Sequence, residues 1–340
     1  MTAPTTPVGR QFRRGSLREA GVVAVLLVVL AVLAVLGLAL GKASVGPADA
    51  FAALFGKADT KTEFVIMELR LPRMVTALLA GACLGLSGAI LQSLLRNPLA
   101  SPDIIGFTNS AAASGVVGLV IFGLSGLVLT GVVLCGTFAA TALVYLLSWK
   151  RAAHQLVIVG IGVSAVCVAI VSYVLTSGDV RDAQDALVWI NGSLGRAGWD
   201  TSLTLAVSCA VLIPAALTLR RGLSVLELGD DPAAALGVKV ARTRTLLLAL
   251  SSALAGAAVA VVGPLPFIAL ISAPIARRLA PTGSLALIPS ALIGAALLLA
   301  SDLAAQFTIP DVLLPAGVVT GVIGAPYLLW LLLKPGLPHP

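Results

Sequence analysis

Charged residues are scarce in this 340-residue chain: they make up 11% of the sequence, against 59% hydrophobic residues. So little polar surface cannot cover the core of a soluble protein of this length. The hydrophobic stretches are also long and continuous, without the alternation typical of an outer-membrane barrel. The sequence therefore predicts an all-α, polytopic membrane protein embedded in the lipid bilayer. We interpret its net charge of +7 as a mark of topology, with no nucleic-acid partner.

Metal-binding residues are equally sparse. The only two histidines, His154 and His339, fall in a loop and at the C-terminus, which excludes a histidine-based metal site or proton relay. The cysteines lie singly in apolar segments, without the close spacing of a metal site or disulfide framework. We therefore expect no directly bound cofactor, and we interpret the cysteines as small core residues: Cys83, Cys135, Cys167 and Cys209.

Motifs for energy use and catalysis are missing as well. The chain contains no GxxxxGK[ST] phosphate-binding loop, so any ATP must be used by another subunit. An enzyme would need a nucleophile paired with a base, and no such pair can be recognised in the sequence. The ionisable residues Asp302 and Arg277 fall toward segment ends, and the deep segment interiors contain almost none, which disfavours ion-coupled transport. A passive channel is not excluded by composition.

Ten hydrophobic segments can be recognised, and the segment at 264–280 is short enough to be a partial span. With an even number of spans both termini lie on one side, and a cytoplasmic N-terminus places fifteen of the 22 basic residues inside. We expect a cytoplasmic tail over 1–20 and one transmembrane domain over 21–335, in the cytoplasmic (inner) membrane. The segments are 21–41, 71–95, 106–123, 126–149, 155–177, 199–219, 241–262, 264–280, 284–305 and 312–333.

The longest inner segment, 220–240, predicts a short helix on the cytoplasmic face. Asp230 and Asp231 are suited to capping its start and Gly237 to ending it. We expect this 230–238 helix to dock a partner; a merely solvated loop is the alternative. The candidate contact residues are Gly229, Asp230, Asp231, Ala234, Leu236 and Gly237.

A polar, proline-bracketed stretch, QSLLRNPLASPDIIG at 92–106, separates the second and third segments. Pro98 disfavours helix at Asn97, Pro102 repeats the break, and Arg96 lies on the predicted inner side. The pattern predicts a rigid cytoplasmic hairpin that sets the two spans in register. A direct role in substrate contact is the alternative.

Five stretches closely resemble the signature of the FecCD family, the permease subunits of type II ABC importers for iron-siderophores, haem and cobalamin. They are RLPRMVTALLAGACLGLSGAILQSLLRNPLASPDIIG (70–106), VWINGSLG (188–195), LGDDPAAALGV (228–238), GPLPFIALISAPIARRLA (263–280) and PAGVVTGVIGAPYLLWLL (315–332). The resemblance implies a ten-helix, BtuC-like permease that works with a second FecCD-type permease, two ATP-binding subunits and an external substrate-binding protein. The 230–238 helix would be the coupling helix.

The chain departs from many family members at Ala273-Pro274, where they have Pro-His. The runs PIARRLA (274–280) and GVVTGVIGAPYLLWLLL (317–333) most resemble the second permease of heterodimeric, enterobactin-type ferric-siderophore importers. This resemblance implies a ferric-siderophore substrate and a heterodimer. Haem, cobalamin and a homodimer remain alternatives, as does an ATPase-independent channel or carrier.

The resemblance also implies roles for individual residues. Arg70 and Arg73 would face glutamates of the binding protein, although interfacial anchoring is an alternative; Gln306 stands where some relatives carry a further external arginine. Small residues of the fifth and tenth segments would form a low-affinity translocation pathway or a dimer interface. These are Gly160, Gly162, Ser164, Gly317, Thr320 and Gly321.

Overall fold

The computed structural model describes residues 7–41, 45–148, 153–281, 283–308 and 314–333, and all regular secondary structure among them is helical. His339 and the C-terminal residues 334–340 lie outside the described residues. The helices are α1 (Pro7–Ala39), α2 (Pro47–Ala53), α3 (Thr60–Phe64), α4 (Leu71–Leu94), α5 (Phe107–Val116), α6 (Gly126–Leu147), α7 (Ala153–Ser177), α8 (Val180–Ile190), α9 (Trp199–Thr218), α10 (Arg220–Leu226), α11 (Asp230–Ala235), α12 (Val240–Val262), α13 (Ile268–Leu279), α14 (Leu287–Phe307) and α15 (Ala316–Leu333), with π-helical turns at Val65–Arg70 and Val117–Ile121.

The all-α prediction is confirmed, and each of the ten hydrophobic segments contains one helix. Seven helices among the described residues are long and apolar enough to cross a membrane. The remaining three segments form shorter helices, α5 with its π-helical turn, α13 and α15. At 1.5 Å per residue the 12-residue α13 is only about 18 Å long, so it is a partial span, as its segment predicted.

The core is built around α4, which buries 17 of its 24 residues and packs against α9, α12, α13 and α14. Gly81 and Gly85 allow backbone contact with α14. A Cβ at Gly81 would lie 2.3 Å from the carbonyl oxygen of Gly294, and one at Gly85 would lie 2.2 Å from that of Ser290. This GxxxG pair therefore packs two helices of one subunit together.

Polar contacts join α4 to α9 at two levels. The hydroxyls of Thr76 and Ser202 lie 2.7 Å apart, and seven residues further along each helix the Sγ atoms of Cys83 and Cys209 lie 3.2 Å apart. Two of the cysteines are thus neighbours, and Cys135 is exposed. The interpretation of the cysteines as core residues is thus confirmed for the three buried ones and wrong for Cys135. The contact between Cys83 and Cys209 depends on the register between two helices that lie far apart in the sequence.

The chain enters α4 earlier than its hydrophobic segment predicts. The second segment was expected to begin at 71, but helix is continuous from Thr60 through the π-helical turn to Leu94. Pro72 lacks a backbone donor, and the widened turn lies immediately before it. At the start of this extension Asp59 caps α3, and hydrogen bonds from Thr62 lower the pKa of its carboxyl group.

The stretch after α4 is not a simple surface hairpin, which corrects the sequence interpretation. Arg96 and Asn97 are exposed at the tip, and the side chain of Asn97 accepts a hydrogen bond from the Leu99 N–H at 2.9 Å. Beyond them the chain turns back into the protein, and Pro102 is buried. A Cβ at Gly106, whose φ is +89°, would lie 2.9 Å from the carbonyl oxygen of Gly160 in the body of α7. Residues 100–106 therefore re-enter the helix bundle.

Candidate functional site

The ends of α4 define two faces of the molecule. The C-terminal end of α4 lies beside the C-terminal end of α13, where Arg277 donates to the Ser93 hydroxyl at 2.7 Å. This face also carries α11 and is called the coupling face below. The opposite face carries the N-terminal end of α4 and the C-terminal end of α14, joined by Arg73 and Asp302.

Between these faces lies a cavity of about 360 Å³, lined by residues of α5, α7, the start of α15 and two interhelical turns and open to one side of the subunit, where Val168 and Val318 are about half exposed. The turns contribute Asn191 and Pro264, and the re-entrant segment contributes Asp103. The apolar wall comes mainly from α7, through Val168 and Val171. A broken-helix cavity of this kind brings backbone ends and polar side chains into the interior of a membrane protein.

Asp103 is an ionisable group deep within the bundle. Its carboxylate lies beside the Thr108 hydroxyl and the backbone N–H of Phe267, immediately before α13. The 12-residue α13 separates this point from the coupling face by up to about 18 Å. Asp103 was assigned to a surface hairpin because the backbone reversal at Gly106 leaves no hydropathy signal.

The six predicted pathway residues do not share one environment. Gly160 and Gly317 are close-packing positions: a Cβ at Gly160 would lie 2.6 Å from the Ile105 carbonyl oxygen, and one at Gly317 would lie 2.1 Å from that of Asn191. Gly162 and Gly321, in contrast, have no atom within 4 Å of an added Cβ.

The two hydroxyl residues of the set also differ. Ser164 accepts a hydrogen bond from the Asn109 amide at the cavity edge. Thr320 is buried and donates to the Gly317 carbonyl oxygen at 3.0 Å. Only Gly317 of the six lines the cavity itself.

Both predicted docking arginines have partners within the subunit. Arg70 donates to the carbonyl oxygens of Leu38 and Ala39 at the end of α1, a favourable position for a cation because helix C-termini carry partial negative charge. Arg73 forms a bidentate ion pair with Asp302, with Nε and Nη2 at 2.9 and 2.8 Å from the two carboxylate oxygens.

Asp302 is the centre of the cluster that joins α4 and α14. Its side chain is 2% exposed, and it also accepts a hydrogen bond from Gln306 Nε2 at 2.9 Å. The side chain of Gln306 therefore hydrogen-bonds to an acidic residue of its own subunit. Sequence reasoning missed the Arg73–Asp302 pair because the two residues are 229 positions apart.

The predicted docking helix is present on the coupling face, with two corrections. It spans Asp230–Ala235, and Gly229, with φ +118°, is its N-cap; neither aspartate provides a side-chain cap. Asp230 instead forms an ion pair of 2.6 Å with Arg244 of α12, which ties the short helix to a core helix. Gly237 has φ +82°, the conformation expected of a glycine that ends a helix.

The flanks of α11 are apolar and uncovered. Leu228 and Leu236 are each about two-thirds exposed, and Asp231 and Ala234 are exposed beside them. A largely exposed pair of leucines around a tethered helix is typical of a surface that another protein covers. A second apolar surface runs along α7 and α15, where Ile161 and Val322 are exposed.

These features define a helical, polytopic membrane protein with a polar-lined cavity and an uncovered short helix on one face. The chain belongs to the FecCD transport family, whose model matches residues 27–334. It is 43% identical over 303 residues to the ferric enterobactin transport system permease protein FepG of Escherichia coli, covering 88% of this chain and 91% of that protein. It is 39% identical to the Bacillus subtilis siderophore permease YfhA, covering 92% and 94% of the two chains.

The fold is likewise that of a known transporter. A solved structure, an inward-facing conformation of a metal-chelate type ABC transporter, superposes with a TM-score of 0.83 at 31% identity. The match covers 92% of this chain and 99% of that chain. The expected FecCD family and type II importer fold are therefore confirmed.

Proposed function

We propose that this chain is the transmembrane permease subunit of an ATP-driven importer that moves ferric siderophores across the cytoplasmic membrane. The observation that carries the proposal is the near-complete match, in sequence and fold, to permeases named for siderophore and metal-chelate transport. The alternative of a passive channel does not account for the uncovered, tethered helix α11 on one face.

The coupling face supports a role for separate ATP-binding subunits. Nucleotide-driven movement has to reach the spans through a rigid contact, and α11 is held to α12 by the Asp230–Arg244 pair. From there Arg277, 4.0 Å from Glu227, connects the segment before α11 to α13, whose other end lies at the cavity. We infer that one of the two ATPases docks on this face through Leu228 and Leu236.

A second FecCD-type permease is the proposed partner within the membrane. The exposed apolar side chains of α7 and α15 flank the cavity, which is open on that side of the subunit. A partner there would complete the pathway, with Gly162 and Gly321 at the open positions. We favour a heterodimer from the likeness of α13 and α15 to the second permease of such systems.

The outer face is the proposed docking surface of the external binding protein. Arg73 donates hydrogen bonds to Asp302 from Nε and Nη2. The N–H groups of its Nη1 atom are directed away from that pair, where they can donate to a carboxylate of a partner protein. The basic residues concentrate toward the coupling face, so we assign that face, and both termini, to the cytoplasm.

Co-purification tests this assignment. The tagged chain, expressed with its ATPase and second permease and extracted in mild detergent, is expected to bring both subunits with it. Leu236→Glu should release the ATPase, because a charge replaces an apolar contact on the coupling face. Val180→Glu, an equally exposed apolar position on the surface helix α8, is the matched control and should retain it. An ATPase that stays bound to the Leu236→Glu variant, or never co-purifies, would contradict the proposal.

A further inference from the structure

A second groove, of about 260 Å³, lies on the outer face of the subunit, opposite the coupling face. Its floor is the end of α12, at Ala260 and Val261, and its walls include the beginnings of α6 and α9, which both pack against α12. The beginning of α9 lies at this face because Trp199 Nε1 donates to the carbonyl oxygen of Met67, just before α4, at 2.8 Å. The groove is therefore formed at the outer ends of three helices that are long and apolar enough to span a membrane.

The walls of this groove continue into exposed apolar surface. Leu127 lines the groove on α6 and is 72% exposed. On α9, Val207 and Val211 are exposed one and two turns beyond Thr204, which also lines the groove. Neither helix belongs to the surface of α7 and α15 that is assigned above to the second permease. Apolar side chains along a membrane span are suited to contact with acyl chains, so the groove opens toward lipid.

The rim of the groove carries side chains of opposite charge. Arg196 lies in the turn before α9 and Asp200 in the first turn of that helix, and both are exposed. Arg196 Nη2 donates to the Asp185 carboxylate at 2.8 Å, whereas its Nε and Nη1 groups have no partner among the described residues. The Asp200 carboxylate is likewise unpaired in the part of the chain that the structure describes.

The threonine hydroxyls of the groove already donate within the protein. Thr130, Thr201 and Thr204 each donate to a backbone carbonyl oxygen three or four residues earlier. The charged side chains of the rim are therefore the stronger determinants of what binds there. With Asp185 beside Arg196, the rim presents one positive and two negative groups, which disfavours a headgroup with a net negative charge.

We propose that this groove binds a phospholipid of the outer leaflet whose zwitterionic headgroup ends in a primary ammonium, a phosphatidylethanolamine. Arg196 donates to the phosphate, Asp200 accepts from the ammonium, and one acyl chain lies over Ala260 and Val261. Trp189, half-buried in the wall, is the kind of amphipathic residue that lies at membrane interfaces. The proposal requires that the chain is embedded in a bilayer and does not rest on the proposed transport function.

The test compares headgroups on the purified, delipidated complex in detergent. Native mass spectrometry gives the apparent dissociation constant of the first bound lipid for the dioleoyl forms of phosphatidylethanolamine, phosphatidylcholine and phosphatidylglycerol. The variants are Arg196→Gln and Asp200→Asn. The matched controls are Arg181→Gln and Asp182→Asn, which change exposed charges of α8 outside the groove.

The unaltered complex should prefer phosphatidylethanolamine to phosphatidylcholine by roughly threefold, the scale of one exposed ion pair, because a choline group has no N–H to donate. Asp200→Asn should remove this preference. Arg196→Gln should weaken all three lipids by a similar factor, because they share the phosphate, and both controls should match the unaltered complex. Equal affinities in the unaltered complex, or a preference that survives Asp200→Asn, would overturn the proposal.

Two further measurements separate a lipid from other occupants. Glycerophosphoethanolamine carries the same headgroup without acyl chains and should not displace the bound lipid at equimolar concentration; displacement would show that the apolar groove holds no chain. The external binding protein is the other candidate at the outer face. If Arg196→Gln and Asp200→Asn weakened its binding and left the lipid preference unchanged, the rim would belong to protein docking and the lipid site would be refuted.

Discussion

Removal of Arg73 tests whether the outer ends of α4 and α14 are held together by an ion pair. Arg73→Ala leaves the Asp302 carboxylate, 2% exposed, with Gln306 as its remaining side-chain partner. Breaking a buried pair on one side costs about 3–5 kcal/mol, because the remaining charge is desolvated without compensation. Asp302→Ala should cost less, about 1–2 kcal/mol, because the Arg73 guanidinium is 21% exposed and can turn toward water.

The double variant Arg73→Met with Asp302→Leu removes both charges and should be more stable than Arg73→Ala alone. A double-mutant cycle of Arg73→Ala, Asp302→Ala and the variant with both alanines, measured by tryptophan fluorescence during denaturant unfolding in detergent, should give a coupling free energy of about 2–3 kcal/mol. Additive effects, or an Asp302→Ala variant less stable than Arg73→Ala, would show that this reasoning about the pair is wrong.

Three further perturbations follow from the packing. Gly160→Leu should lower the free energy of unfolding by about 1–3 kcal/mol, because the new side chain would clash with the backbone of Ile105. Gly162→Leu, which faces open space, should change it by no more than about 0.5 kcal/mol; equal thermal unfolding temperatures for the two variants would refute the contrast. Gly81→Val should similarly disrupt the α4–α14 contact, and an unchanged elution profile with unchanged stability would contradict it. Arg244→Ala should leave stability within about 1 kcal/mol but lower binding-protein-stimulated ATPase activity, because the exposed pair with Asp230 positions α11; undiminished stimulation would exclude that role.

Local patterns were sufficient for the elements of the fold. Continuous apolar stretches predicted the spans, including the short one that became α13, and Gly237 marked the end of the docking helix correctly. Such features depend on neighbouring residues alone, through helix propensity and backbone conformation. The resemblance to the FecCD family likewise depends on short, ordered motifs.

Features that depend on distant contacts were not predictable. The pairing of Arg73 with Asp302 and of Cys83 with Cys209 is set by the register between helices. The placement of Asp103 is set by the reversal of the chain at Gly106, which hydropathy does not record. Of the six candidate pathway residues only Gly317 lines the cavity, and Asp103, which also lines it, was assigned to the hairpin.

The most direct test of the proposed function is uptake by the reconstituted complex. Proteoliposomes containing this chain, its second permease and the ATPase are loaded with ATP, and radiolabelled ferric siderophore is supplied outside on the external binding protein. We predict accumulation that requires both ATP and the binding protein and is lost with Leu236→Glu but not with Val180→Glu. Uptake that proceeds equally without ATP would identify a passive pathway and contradict the account.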